Sequence, residues 1–136
     1  MKKPSNDHIV ETALATVWLD EQGIVCILTK MKVSLTREHL SELFNAVRSF
    51  GNGKKVRILN QASNVSSAVS RDDVDLVMEE AKDLIDALAI IATSPLSRMV
   101  VNLLLRIRSF PFPMKLFSNE RDARQWLIEL SNEVHK

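Results

Sequence analysis

The sequence predicts an α/β protein: a single-layer, mixed, mostly parallel five-stranded sheet packed with four helices, in the order β-β-α-β-α-β-α-β-α. Three observations predict it. Two runs rich in β-branched residues flank a glycine turn at Gly23, which is the pattern of a hairpin. Apolar runs of strand length then alternate with stretches of helical period, the pattern of a sheet crossed by helices. Residues 87–92 (ALAIIA) are continuously apolar, as in a strand buried on both faces.

In chain order, residues 1–9 are polar, contain Pro4 and read as a flexible tail, leaving residues 10–134 as one domain. The first strand covers residues 12–20 (TALATVWLD), and the second covers residues 24–29 after the turn Glu21-Gln22-Gly23. The first helix has clear ends. Thr36 is its N-cap, Leu35 can staple onto Leu40, and Gly51 with Asn52-Gly53 stops it. Leu40, Leu43, Phe44 and Val47 recur at helical spacing and form its core stripe.

Residues 55–60 (KVRILN) form the third strand, which enters a serine-rich loop at residues 63–70. A helix follows near Arg71, with Ser70 and Asp73 resembling a capping box and Val74, Val77, Met78 and Ala81 as its stripe. After the apolar strand at 87–92, Ser94 caps a third helix with Pro95 at its first position, running to about Ile107. Pro111 and Pro113 precede a short strand at 114–117, and Ser118 or Asn119 caps the last helix, whose stripe is Ala123, Trp126, Leu127 and Leu130.

Composition narrows the function. With 18 basic and 17 acidic residues the net charge is +1, so no global field attracts nucleic acid. Tyr is absent and aromatics make up 5%, a weak surface for stacking bases. No apolar run reaches the ~20 residues that span a bilayer, so no membrane insertion is expected. The lone Cys26 cannot form an internal disulfide, and no apolar leader follows Met1-Lys2-Lys3, which together imply a cytoplasmic protein.

Enzyme signatures are missing from the sequence. His8, His39 and His135 have no partners at metal-ligand spacing, so neither metal nor cofactor is expected. There is no nucleophile elbow, and three glycines are too few for a phosphate-cradling loop. Asp72-Asp73 and Glu79-Glu80 are helix neighbours that point about 100° apart, as solvated pairs do. Cys26 lies among apolar residues as a small core side chain.

Two stretches carry functional expectations. A strand feeding a helix through a small-residue loop brings free N–H groups and a positive helix end to the carboxyl edge of a sheet. Ser66, Ser67, Ser70 and Arg71 are therefore a candidate phospho-switch or partner loop, in which a phosphate would gain from the helix dipole and from Arg71. Ordinary loop chemistry also accounts for these serines. The third helix carries more apolar surface than one sheet face covers, with Leu96, Met99, Val100, Leu103, Leu104 and Ile107 on one side and Val101 and Leu105 beside them. Either neighbouring segments of the chain cover the surplus, or Val101, Leu104, Leu105 and Arg108 form an interface for a symmetric dimer or another partner.

The element order, with a strand running into a serine-containing loop before the second helix, resembles the STAS domain of sulphate-transporter tails and sporulation-type anti-sigma-factor antagonists. Residues 94–98 (SPLSR), 110–117 (FPFPMKLF) and 123–127 (ARQWL) look like a group of small bacterial STAS-like proteins, and the likeness covers about residues 12–131. The resemblance implies a non-enzymatic module, with Ser66, Ser67 or Ser70 at the place where antagonists are phosphorylated. The loop here has neither the Asp nor the Gly of the antagonist motif. The expected function is thus a cytoplasmic regulatory module acting through protein–protein contacts with a partner or as a homodimer. The alternative is a carrier of a small apolar or lipid ligand in a cavity beneath the helices.

Overall fold

The computed structural model describes residues 8–30, 36–61, 75, 79–96, 98, 99, 102, 106 and 111–134. It holds a six-stranded mixed sheet whose strands lie side by side in chain order: β1 (Ile9–Glu11), β2 (Ala15–Leu19), β3 (Ile24–Thr29), β4 (Val56–Gln61), β5 (Ile85–Ile91) and β6 (Met114–Phe117). β1, β2 and β3 pair antiparallel, whereas β3 through β6 pair parallel.

This corrects the expected fold class. The sheet has six strands rather than five, and two antiparallel pairs rather than one, so it is not the mostly parallel sheet that the sequence predicts. Nor are four helices shown. Two have bounds among the described residues, α1 (Arg37–Gly51) and α2 (Glu120–Val134), with helical residues between them at 79–81 and at Pro95, Leu96, Arg98 and Met99.

The missed strand is β1, a segment of three residues, which is shorter than two periods of alternation. It is held by what lies opposite it. Val10 stands against Val17, and Glu11 takes hydrogen bonds from the Thr16 hydroxyl at 3.0 and 3.2 Å and a salt bridge from Lys30 at 2.9 Å. Thr12, expected inside the first strand, makes the turn instead. Its hydroxyl donates to the Ala15 carbonyl at 2.9 Å and accepts from the Ala15 amide at 3.0 Å.

Strand order decides where the helices go. Right-handed crossovers between parallel neighbours, repeated in one direction across a sheet, all fall on the same face. Accordingly α1, through Leu40, Phe44 and Val47, shares one core cluster with Ala81 and Phe112 from the two later connections, and with Val17, Val25 and Ile58 of the sheet. The last helix follows the last strand, so no such rule binds it. α2 closes the opposite face, where Ala123 and Leu127 meet Trp18, Ile24, Cys26, Leu59 and Ala89. β5 presents the small side chains Ala87 and Ala89 to this face, beneath α2.

The expected Thr36 cap of α1 is present, the stop falls at Asn52 rather than at Gly51, which is still helical, and the Leu35 staple lies outside the described residues. Thr36 accepts from the His39 amide at 3.1 Å, and Asn52 takes the left-handed conformation at φ 50°, followed by Gly53 at 83°. Asn119 caps α2, accepting from the Asp122 amide at 2.9 Å, while Ser118 turns to Arg98.

Candidate functional site

Because β3 to β6 run parallel, their last residues Thr29, Gln61, Ile91 and Phe117 gather at one edge of the sheet, the edge where such folds bind ligands and partners. Polar groups at or just beyond several of these strand ends meet there. The Thr29 hydroxyl donates to Asn60 Oδ1 at 3.1 Å, tying β3 to β4. Lys30 Nζ donates to the Thr12 carbonyl at 2.7 Å, anchoring the β1–β2 turn. Arg98 Nη1 donates to Ser118 Oγ at 2.6 Å, which fixes the first turn of the helical residues after β5 against the end of β6. β4, flanked by β3 and β5, ends at Gln61, so the serine-rich stretch begins at this edge.

Both groups of residues that the sequence proposes lie outside the described residues: Ser66, Ser67, Ser70 and Arg71 of the loop, and Val101, Leu104, Leu105 and Arg108 of the third helix. The described neighbours of the second group give an unexpected result. Leu96 and Met99, expected on the sheet-facing stripe, are 60% and 62% exposed. They are three residues apart, as helical neighbours on one face are, and Asn102 and Arg106 beyond them are exposed too.

A second polar group sits at the opposite edge, around the β2–β3 turn. Asp20 accepts from the Gln22 and Ile24 amides at 2.9 Å each, an arrangement the run Asp-Glu-Gln-Gly favours. Its other oxygen takes the guanidinium of Arg124 from α2, which also donates to Gln22 Oε1 at 2.9 Å and to Glu120 at 3.3 Å. Arg57 of β4 adds a tie of its own, donating to the Leu127 carbonyl at 3.0 Å. Burial works hardest against the Arg124 charge, but the bonds to Asp20 and Glu120 and the negative groups beside it together outweigh that and hold the guanidinium above its ordinary pKa.

Cys26 lies beneath this clasp, 3.7 Å from both Asp20 and Arg124 and fully buried. Burial, aided by the Asp20 carboxylate and only partly offset by Arg124, pushes its thiol from the ordinary 9.0 up to about 12. A thiol so held stays protonated at neutral pH and is a poor nucleophile. The clasp therefore fastens α2 to the hairpin. Sequence reasoning found the turn but missed Arg124, whose partner is 104 residues away.

Among the described residues no group of three or more His, Cys, Asp or Glu side chains is placed to hold a metal, and no helix is long and apolar enough to cross a membrane. Every buried side-chain nitrogen and oxygen among them has a hydrogen-bond partner. Open depressions among the described residues lie on exposed helix surfaces, one lined by Arg37, Glu38, Ser41, Glu42 and Asn45 of α1, another by Arg121, Arg124, Gln125, Ile128 and Glu129 of α2.

Residues 17–131 match the family described as "Domain of unknown function (DUF7793)". A crystal structure of a protein with unknown function from Arthrobacter sp. FB24 is 23% identical, with 87% of this chain and 95% of that chain covered, at a TM-score of 0.31. None of the curated proteins matches.

Proposed function

Since the chain belongs to the DUF7793 family, whose function is unknown, we propose from its own surface that it is a binding module that works by protein–protein contact and performs no chemistry. The observation that carries this reading is the pair Leu96 and Met99, 60% and 62% exposed beside the carboxyl edge of the sheet. Single exposed apolar residues are ordinary. Two on adjacent turns of one helix face are a small apolar surface, and burying each side chain would contribute about 1.5–3 kcal/mol. Arg98 between them is tied down to Ser118, so the partner would meet a preset surface with little ordering cost.

The switch belongs to the same reading. Phosphate on Ser66, Ser67 or Ser70 would add charge to the stretch that follows β4 in the sequence, with Arg71 as the counter-charge the sequence offers. The STAS likeness of residues 94–98 and 110–117 agrees with a module that signals by contact. A reducing compartment, the cytoplasm, suits its free Cys26.

Photo-crosslinking tests the reading. A benzophenone amino acid replaces Met99 in the producing cell, and Gln125, exposed on α2, serves as the control position. A discrete protein adduct from position 99 and none from position 125 is the expected result. The same adduct pattern from both positions, or no adduct from position 99, overturns it.

A further inference from the structure

The exposed face around Met99 has a charge as well as an apolar character. Between Asp86 and Glu120 the chain carries Arg98, Arg106, Arg108 and Lys115, four of its 18 basic residues, and none of its 17 acidic ones. The net charge of the whole is only +1, so the remainder of the chain is net negative and this stretch is its positive pole.

The described part of that pole is built on one helix face. At 3.6 residues per turn, Met99, Asn102 and Arg106 fall within a sector of about 60°, with Leu96 next to Met99. All four are exposed. Some cations elsewhere are matched at short range: Lys30 with Glu11 at 2.9 Å, Arg48 with Glu80 at 2.8 Å, and Arg124 with Asp20 and Glu120. By contrast Arg98 is satisfied by a neutral hydroxyl and Lys115 by the Phe117 ring, 5.5 Å from its centroid. Arg106 has no acid within four positions of it along the sequence.

We propose that this face takes an acidic, amphipathic segment of a different protein, whose apolar side chains cover Leu96 and Met99 and whose carboxylates meet Arg106 and its basic neighbours. The inference rests on the contact reading above and adds the chemistry of the partner. A second copy of this chain fits poorly, because a two-fold contact pairs this stretch with itself, and the stretch has no acid to offer Arg106. An anionic membrane also fits poorly. Asn102 interrupts the exposed apolar face, and neither tryptophan lies on it, since Trp18 packs under α2 and Trp126 belongs to α2, in the core cluster on the other side of the sheet.

The test is peptide display against the full chain, followed by titration of the best binder. Enriched sequences should be net negative, with at least two large apolar residues. Arg106→Glu should weaken the best binder about two- to fivefold and Asn102→Lys should strengthen it by a similar factor, the worth of one exposed ion pair. Both positions are exposed, so circular dichroism of the two variants should match the wild type. Raising salt from 0.1 to 1 M shrinks the screening length from about 10 to about 3 Å and should weaken binding further. Neutral or basic enriched peptides, or charge variants without these opposite effects, overturn the inference. So does binding to phosphatidylserine-containing vesicles with no acidic peptide enriched, or self-association in sedimentation that Met99→Glu abolishes. An adduct from position 99 with a basic partner protein would sink this inference alone. No adduct from that position would sink the contact reading beneath it.

Discussion

Replacing Cys26 by alanine should make the protein less dependent on alkaline pH, by an amount the structure sets. The thiol is fully buried and held at about 12, against the ordinary 9.0 it would have in the unfolded chain. The neutral form is thus the one that folding favours. Its stabilising contribution is complete below pH 9 and is lost as pH rises from 9 toward 12, because the unfolded chain releases the proton first. Each unit of pH in that window removes about 1.36 kcal/mol, so at pH 10.5 the wild type should have lost about 2 kcal/mol through this group. Tyr is absent, which leaves lysines as the main other side chains titrating there, and both proteins share them. Urea unfolding, followed by helical circular dichroism at pH 7.5, 9 and 10.5, measures the gap between wild type and Cys26→Ala. Whatever the lost sulfur costs at pH 7.5, the wild type's advantage should shrink by about 2 kcal/mol at pH 10.5. Thiolate absorbance near 240 nm gives an independent reading. A gap that stays constant with pH, or a native thiolate signal rising near pH 9, would refute the argument that burial controls this group.

Three further substitutions probe separate parts of the fold. Leu127→Ala empties a fully buried site between α2 and the sheet and should cost about 3 kcal/mol in urea unfolding; a loss under 1 kcal/mol would mean that α2 does not seal that face. Gly53→Ala places a Cβ where nothing lies within 4 Å, at φ +83°, so only backbone strain of about 1–2 kcal/mol should appear in thermal or urea unfolding. Thr36→Ala removes the acceptor of the His39 amide and should cost about 1 kcal/mol, which Thr36→Ser should largely restore in the same assay.

What the sequence disclosed is what local chemistry decides. Thr36 and the Asn52-Gly53 pair mark the ends of α1 because caps and left-handed turns are made by the residues themselves. Met114–Phe117 stands where its apolar pattern and flanking prolines put it. β1 escaped because a strand of three residues has no periodicity to read; its existence depends on Val17, Thr16 and Lys30 across the ladder. The burial of both faces was half legible. The apolar run at 87–92 announced a covered strand, but only strand order tells which helix covers which side, and strand order is a long-range property.

The candidate surface shows the same limit with a sharper consequence. Helical periodicity groups Leu96 and Met99 with an inward stripe, because periodicity records which residues share a face and not which way the face points. The direction is set by where the helix is fastened. Pro95 and the Ser94 carbonyl, which accepts from the Arg98 amide at 3.0 Å, start the helix, and the Arg98 bond to Ser118 fixes its rotation at the end of β6. With Arg98 turned to the sheet edge, Met99 at the next position is carried about 100° round the axis, out to solvent. An arginine that reads as a surface charge thus acts as a pin, and the methionine beside it becomes the exposed group. Charge summed along the chain would have found the region without the fold, since the run from 87 to 119 has no acid. That signal is compositional and local, and it joins the apolar exposure only once the helix is seated.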